Sequence, residues 1–258
     1  MSRGARPFPR GDPATVKMEK ERTFDSKTPA SASGKKERTG PARRRRDEPL
    51  QPKGRVSRDR ILSAARTVFA RQPYNAASLR AIGKEGGFDP PLIHYYFPTK
   101  ADLFDAVVEN VFNRMFQAQL AWYDGLDYSE PGKALTDFMG RVFDHYQTDP
   151  ESYRIIFINM AVIDGSEQLP GMDRVAGILA ALGQTLFERV PFSGGAEETV
   201  FFIHTFMNFI LLYLGSAPCK GMVLGMDHMG PEYRNWVIRA LTFLFQPVLE
   251  KYLPAARE

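Results

Sequence analysis

From residue 57 onward, apolar residues return every three or four positions, and no stretch of useful length alternates apolar with polar as a half-buried strand does. The periodicity predicts an all-α chain. Ser57 is placed to cap a first helix running to about residue 71, with Ile61, Leu62, Ala65, Val68 and Phe69 on its inner face. Ser78 caps a short helix carrying Leu79 and Ile82, and Gly86-Gly87 stops it with a sharp turn. Asp89 is positioned to cap a second short helix, and Pro90 suits its first turn, where no amide donor is needed. Ile93 and Phe97, four apart, give that helix one buried side. Leu92, His94, Tyr95 and Tyr96 are then left largely outward. A short helix exposing aromatic hydrogen-bonding groups packs poorly, but it suits the reading of a DNA major groove.

Thr99-Lys100-Ala101-Asp102 has capping-box spacing, with Asp in place of the usual Glu. It opens a long helix to about residue 122, striped by Leu103, Phe104, Val107, Val108, Val111, Phe112, Met115 and Phe116. Further helices are expected over residues 131–146, 149–163, 171–189 and 196–214. Residues 215–230 read as a Gly/Met-rich connection. A last helix follows over 232–252, which Pro247 should kink or end near Phe245, because proline removes one helix bond. The expected architecture is a three-helix helix-turn-helix head, residues 55–115 with its recognition unit at 78–97, on a larger helical body, 116–258.

Charge adds a third part. Residues 1–58 carry 17 Lys/Arg against 7 Asp/Glu, a net of +10, whereas the remainder is net −6. Residues 1–54 are rich in Pro, Gly, Ser, Lys and Arg, and hold too few large apolar side chains to fold, so a disordered basic tail is expected there. It reads either as a solvated segment or as an arm adding phosphate contacts, densest at residues 43–46. The single cysteine excludes an internal disulfide framework and fits a reducing cytoplasm. No apolar signal-peptide core is present at the N-terminus. The most apolar run, residues 200–214, is interrupted by His204 and Asn208 and falls short of the ~20 residues a membrane span requires, so it reads as a buried helix.

The segment from residue 59 to about 111 resembles the DNA-binding head of the tetracycline-repressor (TetR) family of bacterial regulators. The matching positions are Ile61-Leu62, Ala64-Ala65, Phe69, Tyr74, Ser78, Arg80, Ile82, Gly86-Gly87, Tyr95-Tyr96-Phe97, Lys100 and Leu103-Phe104. The rest of the chain is similar to the family in length and helical character only. Gly83 stands where that family usually has alanine, which should weaken its helix by up to ~1 kcal/mol. Asp89-Pro90-Pro91 is a stiffer start to the recognition helix than usual.

The resemblance implies a homodimeric, ligand-responsive regulator, most simply a repressor on a near-palindromic operator, located in the bacterial cytoplasm with the nucleoid. The candidate DNA contacts are Ser78, Arg80, Leu92, His94, Tyr96 and Lys100. Arg80 suits guanine and Leu92 a thymine methyl. His94 and Tyr96 suit phosphate or base edges, and Lys100 a phosphate at a helix N-terminus. Ser78 is also its helix's cap. His204 and Asn208, one turn apart in an apolar helix, either bond each other or a neighbour, or orient a small, largely apolar ligand. Phe112, Tyr146, Phe157 and Met160 are core residues that some such pocket would use as wall. Phe104, Val108, Phe143 and Phe201 are read as core in the same way. The last two helices, 196–214 and 232–252, are apolar enough to pair across a two-fold axis, with Val237, Leu241, Leu244 and Val248 as the stripe.

The four histidines have no metal-ligand spacing, and no nucleophile, P-loop or Cys-x-x-Cys pattern appears. No catalytic residue, metal or cofactor is therefore assigned. Two other readings stay open: a redox sensor using Cys219 beside Lys220 on the same head, and an all-helical enzyme acting on a hydrophobic substrate.

Overall fold

The computed structural model describes residues 52–161 and 172–254. The basic tail and its arginine run at 43–46 lie outside the described residues. The helices are α1 (Pro52–Arg71), α2 (Leu79–Gly86), α3 (Pro90–Tyr96), α4 (Lys100–Leu120), α5 (Pro131–Thr148), α6 (Pro150–Ala161), α7 (Met172–Arg189), α8 (Ala196–Gly215), α9 (Ala217–Leu224) and α10 (Pro231–Tyr252). A 3₁₀ turn, Ala121–Tyr123, follows α4. No strand occurs among the described residues.

Local chemistry accounts for the head. The Ser78 hydroxyl accepts from the Ala81 amide at 3.1 Å, and Gly87 closes α2 in the left-handed region, φ 69°. The Phe88 amide then donates to the Gly83 carbonyl at 2.8 Å. A β-carbon on Gly83 would lie 2.5 Å from the Phe88 carbonyl oxygen. The glycine that looked like a weak point in the helix is thus what allows the turn to fold back. Asp89 occupies the cap position of α3, but its side chain makes no capping bond. Thr99 and Asp102 form the expected capping box, with each side chain meeting the other's backbone amide. Ile61, Phe69, Ile82, Ile93, Phe97, Leu103 and Phe104 close the head's core.

Three expectations about the helices change. The first helix begins at Pro52, so Ser57 lies within it rather than at its cap. Residues 215–230 are not all connection, because α9 forms there and is ended by Gly225 at φ 66°. Pro247 neither ends nor breaks α10, which runs on to Tyr252. The bond that Pro247 cannot make belongs to the carbonyl of Phe243, a residue 82% exposed, so water serves that carbonyl. Beyond it, Phe245, Leu249 and Leu253 are buried and hold the last turns down.

The stripe proposed for pairing also divides. Val237 and Leu241 are fully buried in the protomer's own core, while Leu244 is 41% exposed and Val248 is half-buried. The apolar side chains left in water on α8 and α10 are Val200, Phe201, Leu212, Phe243 and Leu244. Phe201, read as core, is therefore outside it. Among the described residues, α8 is the one helix long and apolar enough to cross a membrane. Its Phe202, Phe206, Ile210 and Leu214 pack into the core, as a core helix's would.

Head and body are parts of one compact unit, and they meet along α1 and α6. Asp149, 3% exposed at the start of α6, accepts from Arg66 of α1, from Arg114 Nε of α4 at 2.6 Å and from the Ser152 hydroxyl at 2.8 Å. Arg66 also donates to Asn110 Oδ1 at 2.8 Å and to Glu151 at 3.3 Å. Farther along, Arg154 bonds the carbonyls of Ala70 and Gly215, at the ends of α1 and α8, and the Tyr74 amide donates to Asn159 Oδ1 at 2.9 Å.

Candidate DNA interface and ligand cavity

The α2–turn–α3 unit presents one side built from short-range rules. Ile93 and Phe97 face inward, so Leu92 (39% exposed), His94 and Tyr95 (65% exposed) face out. Arg80, on α2, is exposed and has no partner among the described residues. His94 Nδ1 lies 3.1 Å from the Pro98 carbonyl, so that nitrogen carries the proton and Nε2 is left to accept. Tyr96 is half-buried, its ring edge-on to Tyr95 at 4.9 Å. Ser78 uses an oxygen lone pair for its cap, which leaves the hydroxyl proton to donate.

Lys100 is differently placed from expectation. Its ammonium donates to the carbonyls of Tyr74 at 2.9 Å and Ala77 at 3.1 Å, and sits 4.3 Å from the centre of the Tyr74 ring. It therefore closes the loop that delivers the chain to α2, with only one of its three N–H donors left over. The sequence pattern found the residue, but not the carbonyls that turn it inward. Two cations were missed. Arg58 and Arg60 of α1 lie over the rings of Phe97 and Phe88, at 5.1 and 5.2 Å from their centres, on the head but outside the helix-turn-helix. Tyr95, the most exposed aromatic of α3, was also outside the contact set. Its sequence signal was its outward register beside Ile93.

The six residues expected around a ligand are not brought together. His204 and Asn208 are exposed on α8, and Asn208 Nδ2 donates to its own helix at the His204 carbonyl, 2.8 Å away. Tyr146 is buried, with its hydroxyl 2.7 Å from His228 Nδ1. Phe112, Phe157 and Met160 are half-buried and packed on the core. None of the six lines the apolar cavity, which has a volume of about 40 Å³. Its wall comes from the turn after α4 (Tyr123, Leu126, Tyr128), α5 (Leu135, Phe138), α7 (Leu186), α8 (Phe202, Phe206) and α10 (Leu249, Leu253). Arg141 secures that turn by donating to the carbonyls of Trp122 at 3.0 Å and Asp124 at 2.6 Å. Cys219 is an exposed free thiol on α9.

Residues 61–107 match the family model for bacterial regulatory proteins of the tetR family. The chain is 30% identical over 100 residues to the HTH-type transcriptional repressor NicS of Pseudomonas putida, a match covering 39% of this chain and 46% of that one. It is 28% identical over 141 residues to the HTH-type transcriptional activator FasR of Mycolicibacterium smegmatis, covering 54% and 61%. The chain thus spans about half the length of these curated relatives. Among solved structures, a TetR-family regulator from Agrobacterium tumefaciens superposes with a TM-score of 0.55 at 18% identity, over 78% of this chain and all of that one. The fatty acid degradation regulator FadR of Bacillus halodurans gives 0.53 at 18% identity, over 76% and 97%. These two likenesses concern the fold. With an α2–turn–α3 unit of this geometry inside the matched residues, the chain belongs to the tetR family of bacterial regulatory proteins.

Proposed function

We propose that the protein is a ligand-released transcriptional repressor that binds a near-palindromic operator as a homodimer. The observation that carries the reading is the outward side of the head: a free Arg80, with Leu92, His94 and Tyr95 on a short helix whose other side is buried. Arg80 supplies the guanidinium fork for guanine, Leu92 the apolar contact, and His94, Tyr96 and Ser78 the polar contacts to phosphate or base edges. Lys100 serves mainly by holding the loop before α2. Residues 55–115 act as the head and 116–258 as the body that pairs and senses.

The dimer reading rests on the exposed Val200, Phe201, Leu212, Phe243 and Leu244 of α8 and α10. Five large apolar groups on neighbouring helices are a poor monomer surface and a suitable isologous one. Release follows from linkage: a ligand weakens DNA binding by as much as it prefers the conformer whose heads are badly spaced, typically ~1–3 kcal/mol. The α1–α6 seam, together with α4, is the route by which the body moves the head. NicS is named a repressor, and that name supports the sign of regulation.

The test is a gel-shift titration on DNA upstream of the protein's own gene, at fixed salt. Tight binding to an inverted repeat is expected, with Arg80→Ala costing about 1–3 kcal/mol and relaxing preference at one base pair per half-site. Binding by the variant that equals the parent's in strength and selectivity would remove Arg80 from the reading surface.

A further inference from the structure

We propose that the apolar cavity binds a short aliphatic molecule bearing one uncharged oxygen, recognised by the hydroxyl of Tyr128. This deepens the reading of the chain as ligand-responsive and rests on it. The Tyr128 ring lines the cavity, and its hydroxyl is buried without a hydrogen-bond partner among the described residues. Such a group is costly to keep unpaired, so an orphan in a cavity wall points to a partner supplied from outside the protein. The wall around it is carbon: Leu126, Leu135, Phe138, Leu186 and Phe206. A lone water needs two to four polar neighbours and would find too few here. An aliphatic ligand with one oxygen satisfies the hydroxyl and covers the carbon wall together.

The wall also argues against a charged ligand, because an ion taken out of water into carbon needs a counter-charge. Tyr123, the other phenol of the wall, stays protonated. Burial first, and then the neighbouring Tyr128, push its hydroxyl well above the ordinary tyrosine range, against a weaker pull from Arg189. The wall's titratable groups are thus neutral. Size sets the rest. A volume of about 40 Å³ is far below the ~150 Å³ at which an apolar cavity takes a benzene ring, so a chain of a few carbons fits and an aromatic ring does not. The walls Phe202, Phe206, Leu249 and Leu253 are the inner sides of α8 and α10, whose outer sides carry the exposed apolar groups. Filling the cavity therefore bears directly on how those two helices pair.

The test is a methyl-resolved NMR titration of the full chain with 2-butanone, without DNA. Saturable shifts are expected at Leu135, Leu186 and Leu249. Tyr128→Phe should weaken the fitted affinity at least fivefold while leaving the free protein as stable as the parent, since no internal bond is lost. Xenon, which has no oxygen, should bind parent and variant alike, and Ala134→Leu, which fills the cavity, should exclude both probes. Absence of saturable shifts at those methyls overturns the proposal, as does equal butanone affinity in Tyr128→Phe. The same samples are carried into the operator gel shift. Operator binding without butanone binding removes the cavity assignment alone, and butanone binding without operator binding removes the regulatory reading alone.

Discussion

Replacing Asp149 tests how the head is attached. The carboxylate is 3% exposed and takes hydrogen bonds from Arg66, Arg114 and Ser152. Asp149→Ala leaves the Arg66 guanidinium, itself 8% exposed, without its main counter-charge. Removing one member of a buried pair costs about 3–5 kcal/mol. Glu151, 3.3 Å from Arg66 Nε and one-third exposed, recovers part of this, so a loss of about 2–4 kcal/mol is expected at pH 7.

The pH dependence has a definite sign. Burial alone would raise the Asp149 carboxyl, but the Arg114 hydrogen bond, the Arg66 charge and Ser152 outweigh it and bring it below the ordinary value. A depressed carboxylate contributes stability that is present above its unfolded pKa, about 3.9, and is lost as pH falls through the lower folded value. The gap between parent and Asp149→Ala in urea unfolding should therefore be constant from pH 7 down to about 4 and shrink below that. The pair Arg66→Met with Asp149→Leu should recover at least half of the lost stability, because two apolar groups leave no stranded charge. A single-variant loss under about 1 kcal/mol at pH 7, or a gap that does not respond to acid, would refute the hub's role.

Other outcomes follow from the same geometry. Gly83→Ala, a change that elsewhere in a helix gains up to ~1 kcal/mol, should instead destabilise the head in thermal unfolding, because the new methyl meets the Phe88 carbonyl. Lys100→Ala should cost about 1–3 kcal/mol of stability and weaken all DNA sequences alike in gel shifts, since it frees the carbonyls of Tyr74 and Ala77. A base-selective effect would return Lys100 to the DNA surface. Phe243→Glu should convert the dimer to monomer in sedimentation while circular dichroism stays helical; an unchanged dimer would move the interface elsewhere.

The head was legible because its determinants are local. Ser78, Gly87 and the Thr99/Asp102 pair act within a few residues, so the pattern along the chain gave their roles directly. The body was less so. In α8 the apolar residues run nearly all round, and periodicity could not say whether His204 and Asn208 turned inward or out. In α10 it drew a stripe through Val237 and Leu241 without distinguishing the protomer's own core from a second copy. Gly83, Lys100 and Asp149 owe their importance to atoms distant along the chain or across a turn. Pro247 survives because of what surrounds it. The cavity wall draws on six separate segments, so no spacing announces it.

Arg154 deserves a last consideration as a joint. Its Nε and Nη1 reach the carbonyls of Ala70 and Gly215, the electronegative ends of two helices that make no direct hydrogen bond to each other here. One rigid plane spans both contacts, at 3.2 and 3.1 Å, so the separation of those two helix ends is gauged by the width of a guanidinium. A drift of about an ångström at the end of α8 must either carry α1 with it or break one of the bonds, since either bond is lost once stretched past ~3.5 Å. A lysine cannot keep this gauge, because its single ammonium swings on a flexible stem and tolerates a range of separations. Arg154→Lys would retain the charge and lose the ruler.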